Sequence, residues 1–393
     1  MKYYISFLVL NALIFMTTSC QENRNIENKF SSLNDTISIK TKKIKGRGLF
    51  ELGYGSLKFK DTSETFSNSI KYPKNIENIK RYQLKVDFSE KQNNNVEILL
   101  GNKNGNQVFI VDQNNNKDLT DDIVRMCENI IWTAPPEIIK CEYLISNGKE
   151  MVKDSSWLCI GKGNGKILLG KREYFLGKFS IDNENYEIGV IEPRNSMSFA
   201  YNFLPEIALL SKFGVNKDSL SYSDLIKIGE ILILNDKHYR FEKISNNGDL
   251  VTLVKEERFD NKIGTQKGMI APEFKAITIS GDTITNSIFG KKLTVIANSC
   301  GCGGDKKSTE DFYEMERLYG NDINVLHVDF NIKKTNTGIH IDSEKEFNKD
   351  FSNHYRQEYC SRICYVIGKN KRIIDKFNIN QWKDRLSTII NKN

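Results

Sequence analysis

Cys300 and Cys302 follow an apolar run, LTVIAN at 293–298, and precede a segment of helical spacing, with Gly301, Gly303 and Gly304 around them. A helix N-terminus stabilises a thiolate through its dipole and free N–H groups, so this placement favours a low thiol pKa. The glycines leave room for a disulfide of another protein to approach. Cys360 and Cys364 form a second pair beside a later apolar run. If the four sulfurs converge, three chemistries are open. One is a redox relay, in which Cys300 attacks and Cys302, or a cysteine of the later pair, resolves. Another is zinc held by four thiolates, for which Cys-x-Cys is an unusual spacing. The third is a set of static disulfides stapling the fold.

A second constellation is the loop from Asp112 to Asp122. Asp112, Asn114, Asn116 and Asp118 stand at alternate positions, with Asp122 near the end. Hard cations are held by such side-chain oxygens, so the loop is read as a structural calcium site. An EF-hand has Gly and Glu where this chain has Lys117 and Ile123, and the alternative is an Asx-rich turn. Cys127 and Cys141 are expected to pair as a disulfide. Of the eight cysteines, seven remain when Cys20 is set aside, an odd number that leaves at least one thiol unpaired within the chain. His327, inside an apolar run, is expected in the core, whereas His340 and His354 lie in a polar segment that could approach the cysteines.

The elements that must position these residues fall into two styles. Up to about residue 262 the text is mostly short alternating runs: YQLKVDF (82–88), NVEILL (95–100), QVFIVD (107–112), GKILLG (165–170), YEIGVIE (186–192), EILIL (230–234), YRFEKI (239–244) and LVTLVK (250–255). Alternation of this kind predicts half-buried antiparallel strands. FLPEIALLSKFG is the one apolar segment there that reads as helical. Asp112 and Glu192 each follow a hydrophobic strand, a faint internal repeat. From about residue 263 the order changes to strand LTVIAN, a Cys/Gly turn, a helix through STEDFYEMERLYG and strand NVLHVDF. A helix over 343–352, strands CYVIG and RIIDKF, and a last helix QWKDRLSTIIN follow. Ser308 with Asp311 offers a capping box for the first helix. The fold class expected is α+β and multi-domain: a β-rich region over 47–262 and an α/β domain over 263–393.

The N-terminus sets the compartment. Lys2, the apolar stretch from Ile5 to Met16 and the small residues Thr17 to Ser19 read as a signal peptide over 1–19. Cys20 directly after them resembles a bacterial lipobox cysteine, to be lipidated as the mature N-terminus. Residues 20–46 are polar and read as a tether. With 57 Lys+Arg against 50 Asp+Glu, a net charge of +7 and mixed signs, the chain is not expected to bind nucleic acid.

Ala271-Pro272-Glu273-Phe274, the Gly281-Asp282 turn, Gly290-Lys291 before a hydrophobic strand, and cysteines at a strand-helix junction resemble the thioredoxin-fold domain of TlpA-like thiol-disulfide oxidoreductases. Lipoproteins of the Bacteroidetes with a β-rich N-terminal half carry such a domain. The resemblance implies a C-terminal thioredoxin-like fold and dithiol/disulfide exchange with secreted or envelope proteins. It also implies an external electron donor or acceptor, no organic cofactor, and a lipid anchor in the cell envelope, at the outer membrane facing the periplasm. Here the family's Trp-Cys-x-x-Cys is Ser299-Cys300-Gly301-Cys302, and no proline follows Pro272, so Arg362 or Ile363 stands where the family has a cis-proline. A non-catalytic thioredoxin scaffold and a Cys-rich metal-binding lipoprotein are the alternatives. A peroxidase is disfavoured because Ala297 occupies the threonine position of the peroxiredoxin pattern.

Overall fold

The computed structural model describes residues 35–46, 54–61, 70–87, 94–131, 136–191, 198–213, 220–300, 305–330, 332, 338–356 and 361–391. The first strand, β1 (Thr36–Lys45), corrects the reading of 20–46 as a tether throughout. Ile39 of this strand is 1% exposed, while Lys43 on the same edge of the alternation reaches the Asp154 carboxylate at 2.9 Å and the Ser155 carbonyl at 2.7 Å. The lysines hid an alternating strand behind a tether-like composition.

From β1 the chain leaves to build a separate sandwich. Its strands are β2 (Gly55–Ser56), β3 (Lys60–Asp61), β4 (Glu77–Lys85), β5 (Asn95–Lys103), β6 (Asn106–Val111), β7 (Arg125–Met126), β8 (Ile139–Ser146), β9 (Met151–Gly163) and β10 (Lys166–Lys171). They form a five-stranded sheet in the order β3-β4-β5-β6-β7 and a four-stranded sheet in the order β2-β10-β9-β8. Leu84, Val96, Ile98 and Phe109 of one sheet meet Ile139, Ile145, Leu158 and Ile160 of the other in a single core. Asn104-Gly105 and Asn164-Gly165 turn two of the hairpins with positive φ at both positions, the backbone that matches strand twist in a two-residue loop.

The chain then returns to β1. Strands β11 (Glu173–Ile181), β12 (Glu184–Ile191), β13 (Glu206–Leu209), β14 (Ile226–Lys227), β15 (Ile231–Leu234), β16 (Lys237–Ile244) and β17 (Leu250–Lys255) join it in an eight-stranded sheet, β14-β13-β12-β11-β1-β17-β16-β15. The two strands at the ends of that order, β14 and β15, are consecutive in sequence, so the sheet curls round on itself. Ile39, Phe175, Val190, Ile207, Phe241 and Leu253 fill its interior. The expected helix in FLPEIALLSKFG is instead β13 followed by a 3-10 turn over Leu210–Phe213. Ile207 and Ala208 are both fully buried between two cores, and this two-sided burial produced an apolar run with no visible period.

The last third carries the α/β layers. A hairpin of β18 (Lys275–Ile277) and β19 (Thr283–Thr285) precedes β20 (Thr294–Asn298), α1 (Lys306–Tyr319), β21 (Asn324–Asp329), β22 (Ile339–Asp342), α2 (Lys349–Tyr355), β23 (Ile363–Ile367), β24 (Ile373–Asn378) and α3 (Trp382–Ile390). The sheet order is β22-β21-β20-β23-β24. β21 runs parallel to both β20 and β22, whereas β23 is antiparallel to β20 and to β24. Phe312 and Met315 of α1 pack with Trp382 and Leu386 of α3 on one face, and Phe351 and Tyr355 of α2 pack on the other. The N-cap of α1 is Asp305, whose carboxylate accepts from the Ser308 N–H, so the expected Ser308–Asp311 box is corrected by one helical turn. Residues Ile37–Asn393 form one compact unit.

Candidate thiol site at the end of the central strand

β20 is buried along its whole length and ends on Asn298, whose side-chain amide donates to the Tyr355 carbonyl at 2.8 Å and the Ile363 carbonyl at 2.7 Å. One asparagine thereby ties the central strand to the end of α2 and the start of β23. Ser299 follows, its N–H on the Val328 carbonyl at 3.0 Å. Its hydroxyl lies 2.7 Å from His327 Nε2 and donates to Asp329 Oδ2. Arg356 NH1 donates to the carbonyls of Ser299 at 3.2 Å and Val328 at 3.0 Å, and NH2 stands 3.5 Å from Asp329 Oδ1. His327 Nδ1 and His340 Nδ1 face each other at 2.9 Å across the β21–β22 pairing. Phe312 of α1 stacks on the His327 ring at 4.1 Å. Burial, with His340 and Arg356 adding repulsion, lowers the His327 pKa to about 3, so this imidazole is neutral.

Cys300 is fully buried, and its backbone N–H donates to Ser308 Oγ at 3.0 Å in the first turn of α1. The thiol-bearing residue therefore lies ahead of the N-cap and is linked to the helix through Ser308. Cys302, Cys360 and Cys20 lie outside the described residues, as do the signal segment and Glu192.

Cys364 was expected to join Cys300 in a redox or zinc cluster. Cys364 is the second residue of β23, opposite Ala297, and packs among Val295, Phe312, Met315 and Trp382. Burial pushes its thiol far up, with Asp311 adding to the shift, which is the signature of an inert core cysteine. Among the described residues, no three His, Cys, Asp or Glu side chains are grouped to hold a metal. His327 is in the core as expected. His340 is not in a polar segment but in β22, and His354 is on α2 beside Asp350, 3.7 Å away.

The sandwich thiols Cys127 and Cys141 are free and buried, which corrects the expected disulfide. Burial raises Cys127 to about 11 and Cys141 further still. Both occupy apolar volume between the two sheets, as small hydrophobes.

In the loop after β6, Asp112 is fully buried and spends its oxygens on the N–H groups of Asn116 at 3.0 Å and Lys117 at 3.1 Å. The Lys117 ammonium stands 3.9 Å from the same carboxylate. Asn114 and Asn116 turn their amide nitrogens to Asp121, and Asp118 pairs with Lys71 at 2.6 Å. Asp122 accepts from the Gln113 N–H at 3.1 Å. These groups serve the loop's own amides and two lysines, while Asp122 Oδ2 is buried with no hydrogen-bond partner.

The residues that sequence reasoning missed are Asn298, Ser299, Asp329 and Arg356, together with the His327–His340 contact. A usable signal existed in NVLHVDF: His327 and Asp329 are two apart on a strand, hence on one face, inside a run too apolar to carry them without partners.

No protein-family model matches this chain, and no curated protein matches it. Solved structures do match about a third of it. The thioredoxin domain of a thiol-disulfide oxidoreductase from Bacteroides vulgatus aligns with a TM-score of 0.28 and 13% identity, over 32% of this chain and 99% of its own. A thiol:disulfide interchange protein from a Bacteroides species aligns with a TM-score of 0.27 and 13% identity, over 32% and 91%. The mitochondrial 2-Cys peroxiredoxin of Plasmodium falciparum gives 0.25 and 16%, over 33% and 94%.

Proposed function

We propose that the chain is a thiol-disulfide oxidoreductase of the bacterial cell envelope, anchored through a lipid on Cys20 and working through Cys300 with Cys302. The observation that carries this reading is the pinning of Cys300 between the buried end of β20 and the first turn of α1. In the reaction, the Cys300 thiolate attacks one sulfur of a partner's disulfide and expels the other as a thiolate. Cys302, deprotonated, then attacks the mixed disulfide, leaving the partner as a dithiol and Cys300–Cys302 as the disulfide. An external dithiol reverses the change and completes the cycle. Full burial of Cys300 and Cys364 favours a second reading, a scaffold that binds without exchanging thiols.

The two readings part on one experiment. The mature chain is incubated with a disulfide-containing peptide, and the mixed disulfide is trapped in a Cys302→Ser variant. A trapped adduct at Cys300, with exchange lost in Cys300→Ser, supports the oxidoreductase. Absence of exchange in the unmodified chain overturns it in favour of the scaffold. Anchoring is checked by incorporation of labelled fatty acid in the producing cell, expected to vanish in Cys20→Ala.

A further inference from the structure

The buried polar cluster behind Cys300 has a direction. A carboxylate only accepts, so the Ser299 hydroxyl donates to Asp329. Its oxygen must then accept from His327 Nε2–H, which leaves His327 Nδ1 as an acceptor and makes His340 Nδ1 the donor to it. Thr309 Oγ1 also points at the Ser299 hydroxyl, at 3.4 Å. Every donor thus runs from His340 towards Asp329. The other Asp329 oxygen accepts from the Phe330 N–H at 2.7 Å and faces Arg356, and both partners of that ion pair are about 95% buried, with side-chain exposures of 5% and 4%.

Arg356 connects this chain to the thiol. The peptide group joining Ser299 to Cys300 has both polar atoms held: its oxygen accepts from Arg356 and its N–H donates to Ser308. Resting on the thiol-exchange reading, we propose that Ser299, Asp329 and Arg356 are positioning residues for Cys300. They fix the peptide from which the thiol projects and set the net charge beside it, while the His327–His340 pair keeps Ser299 oriented as a donor to Asp329.

Opposite signs distinguish this role from general loosening. Ser299→Ala removes a donor from the Asp329 carboxylate, leaves its negative charge less screened and makes the Cys300 thiol harder to ionise. Asp329→Asn removes that charge and makes the thiol easier to ionise. Of the other charged groups on the elements packed here, Asp305 pairs with Arg362, Asp311 with Lys307 and Asp350 with His354, while Lys306 and Glu310 of α1 are exposed.

The test is the pH–rate profile of Cys300 alkylation by iodoacetamide in the full chain, read by peptide mapping. The midpoint is expected to rise by about half a pH unit or more in Ser299→Ala, to fall by a similar amount in Asp329→Asn, and to return towards the parent value in Ser299→Thr. If Asp329→Asn does not fold, Arg356→Gln takes its place, with a rise expected. Midpoints that do not move, or that move together in Ser299→Ala and Asp329→Asn, overturn the proposal, as does a Cys300 that iodoacetamide never reaches. Disulfide exchange measured on the same samples separates the two ideas. Exchange with unmoved midpoints sinks the positioning role alone, and shifted midpoints without exchange sink the oxidoreductase alone.

Discussion

Asn298 contributes no chemistry and yet decides whether the thiol site has a floor. Its amide donates to two buried carbonyls on different segments, so Asn298→Leu removes both hydrogen bonds at a cost of about 2–4 kcal/mol. Urea denaturation of the two chains reads this directly. Asp122 offers a test with a pH sign. Burial raises its carboxyl to about 6 from 3.8, with Asp112 and Asp121 adding repulsion and the Gln113 N–H opposing them. A raised folded pKa means that its stabilising contribution is complete below the unfolded value and is lost as pH rises through the folded one. Asp122→Asn keeps the acceptor for Gln113, so its melting temperature should exceed the parent's at about pH 8 and match it near pH 3. Single residues were unevenly legible. Cys300 could be placed because a turn follows an unmistakable strand, whereas Cys364, expected at the start of strand CYVIG and in the thiol cluster, packs into the core from within β23. The Ser299–Asp329–Arg356 contacts join segments about 30 and 60 residues apart, a distance that one sequence does not bridge.

At the scale of elements, alternation was a reliable guide where one face met a core and the other met water. Every strand expected between 82 and 255 is present, and the Asn-Gly turns explain why polar pairs interrupt them. Alternation failed at β13, buried on both sides, and at β1, where lysines obscured it. The three helices of the last third were legible in outline, but their bounds were not: the helix expected over 343–352 is Lys349–Tyr355, and Asp305 and Ser308 both qualify as caps for α1. The Asp305 carboxylate receives the Ser308 N–H and also pairs with Arg362 on the approach to β23. Asp305→Ala should therefore lower stability by ~1–2 kcal/mol and fray the first turn of α1, seen as faster amide exchange at Lys306 to Ser308.

For the whole molecule, the decisive feature is that the sandwich is an insertion. Lys45 pairs with Glu173, and the Gly46 N–H donates to the Arg172 carbonyl at 2.9 Å, so everything between leaves and re-enters at one point. Sequence reading put both parts in one β-rich region because both use the same alternating text, and it drew the boundary at 46/47, just past the first strand of the curled sheet, which it thereby left outside. A chain starting at residue 47 lacks the strand between β11 and β17 and should fail to close that sheet. Loss of near-ultraviolet circular dichroism and rapid proteolysis within 173–255 would register this, while a chain starting at residue 35 should keep its near-ultraviolet signal and resist proteolysis there.

The same arrangement governs the order of events on the ribosome. β1 is the first described strand to be synthesised, yet the Thr41 hydroxyl bonds to Gly248, 207 residues later in the chain. The inserted sandwich has all its strands in hand by Lys171 and can condense while β1 is still waiting for a second neighbour. At a synthesis rate of about 5–20 residues per second, the roughly 80 residues from the end of the sandwich to β17 take about four to sixteen seconds, during which a lysine-rich strand is held beside a folded body with an edge still open. The lysines that concealed this strand are also what keep its waiting edge from pairing with other chains.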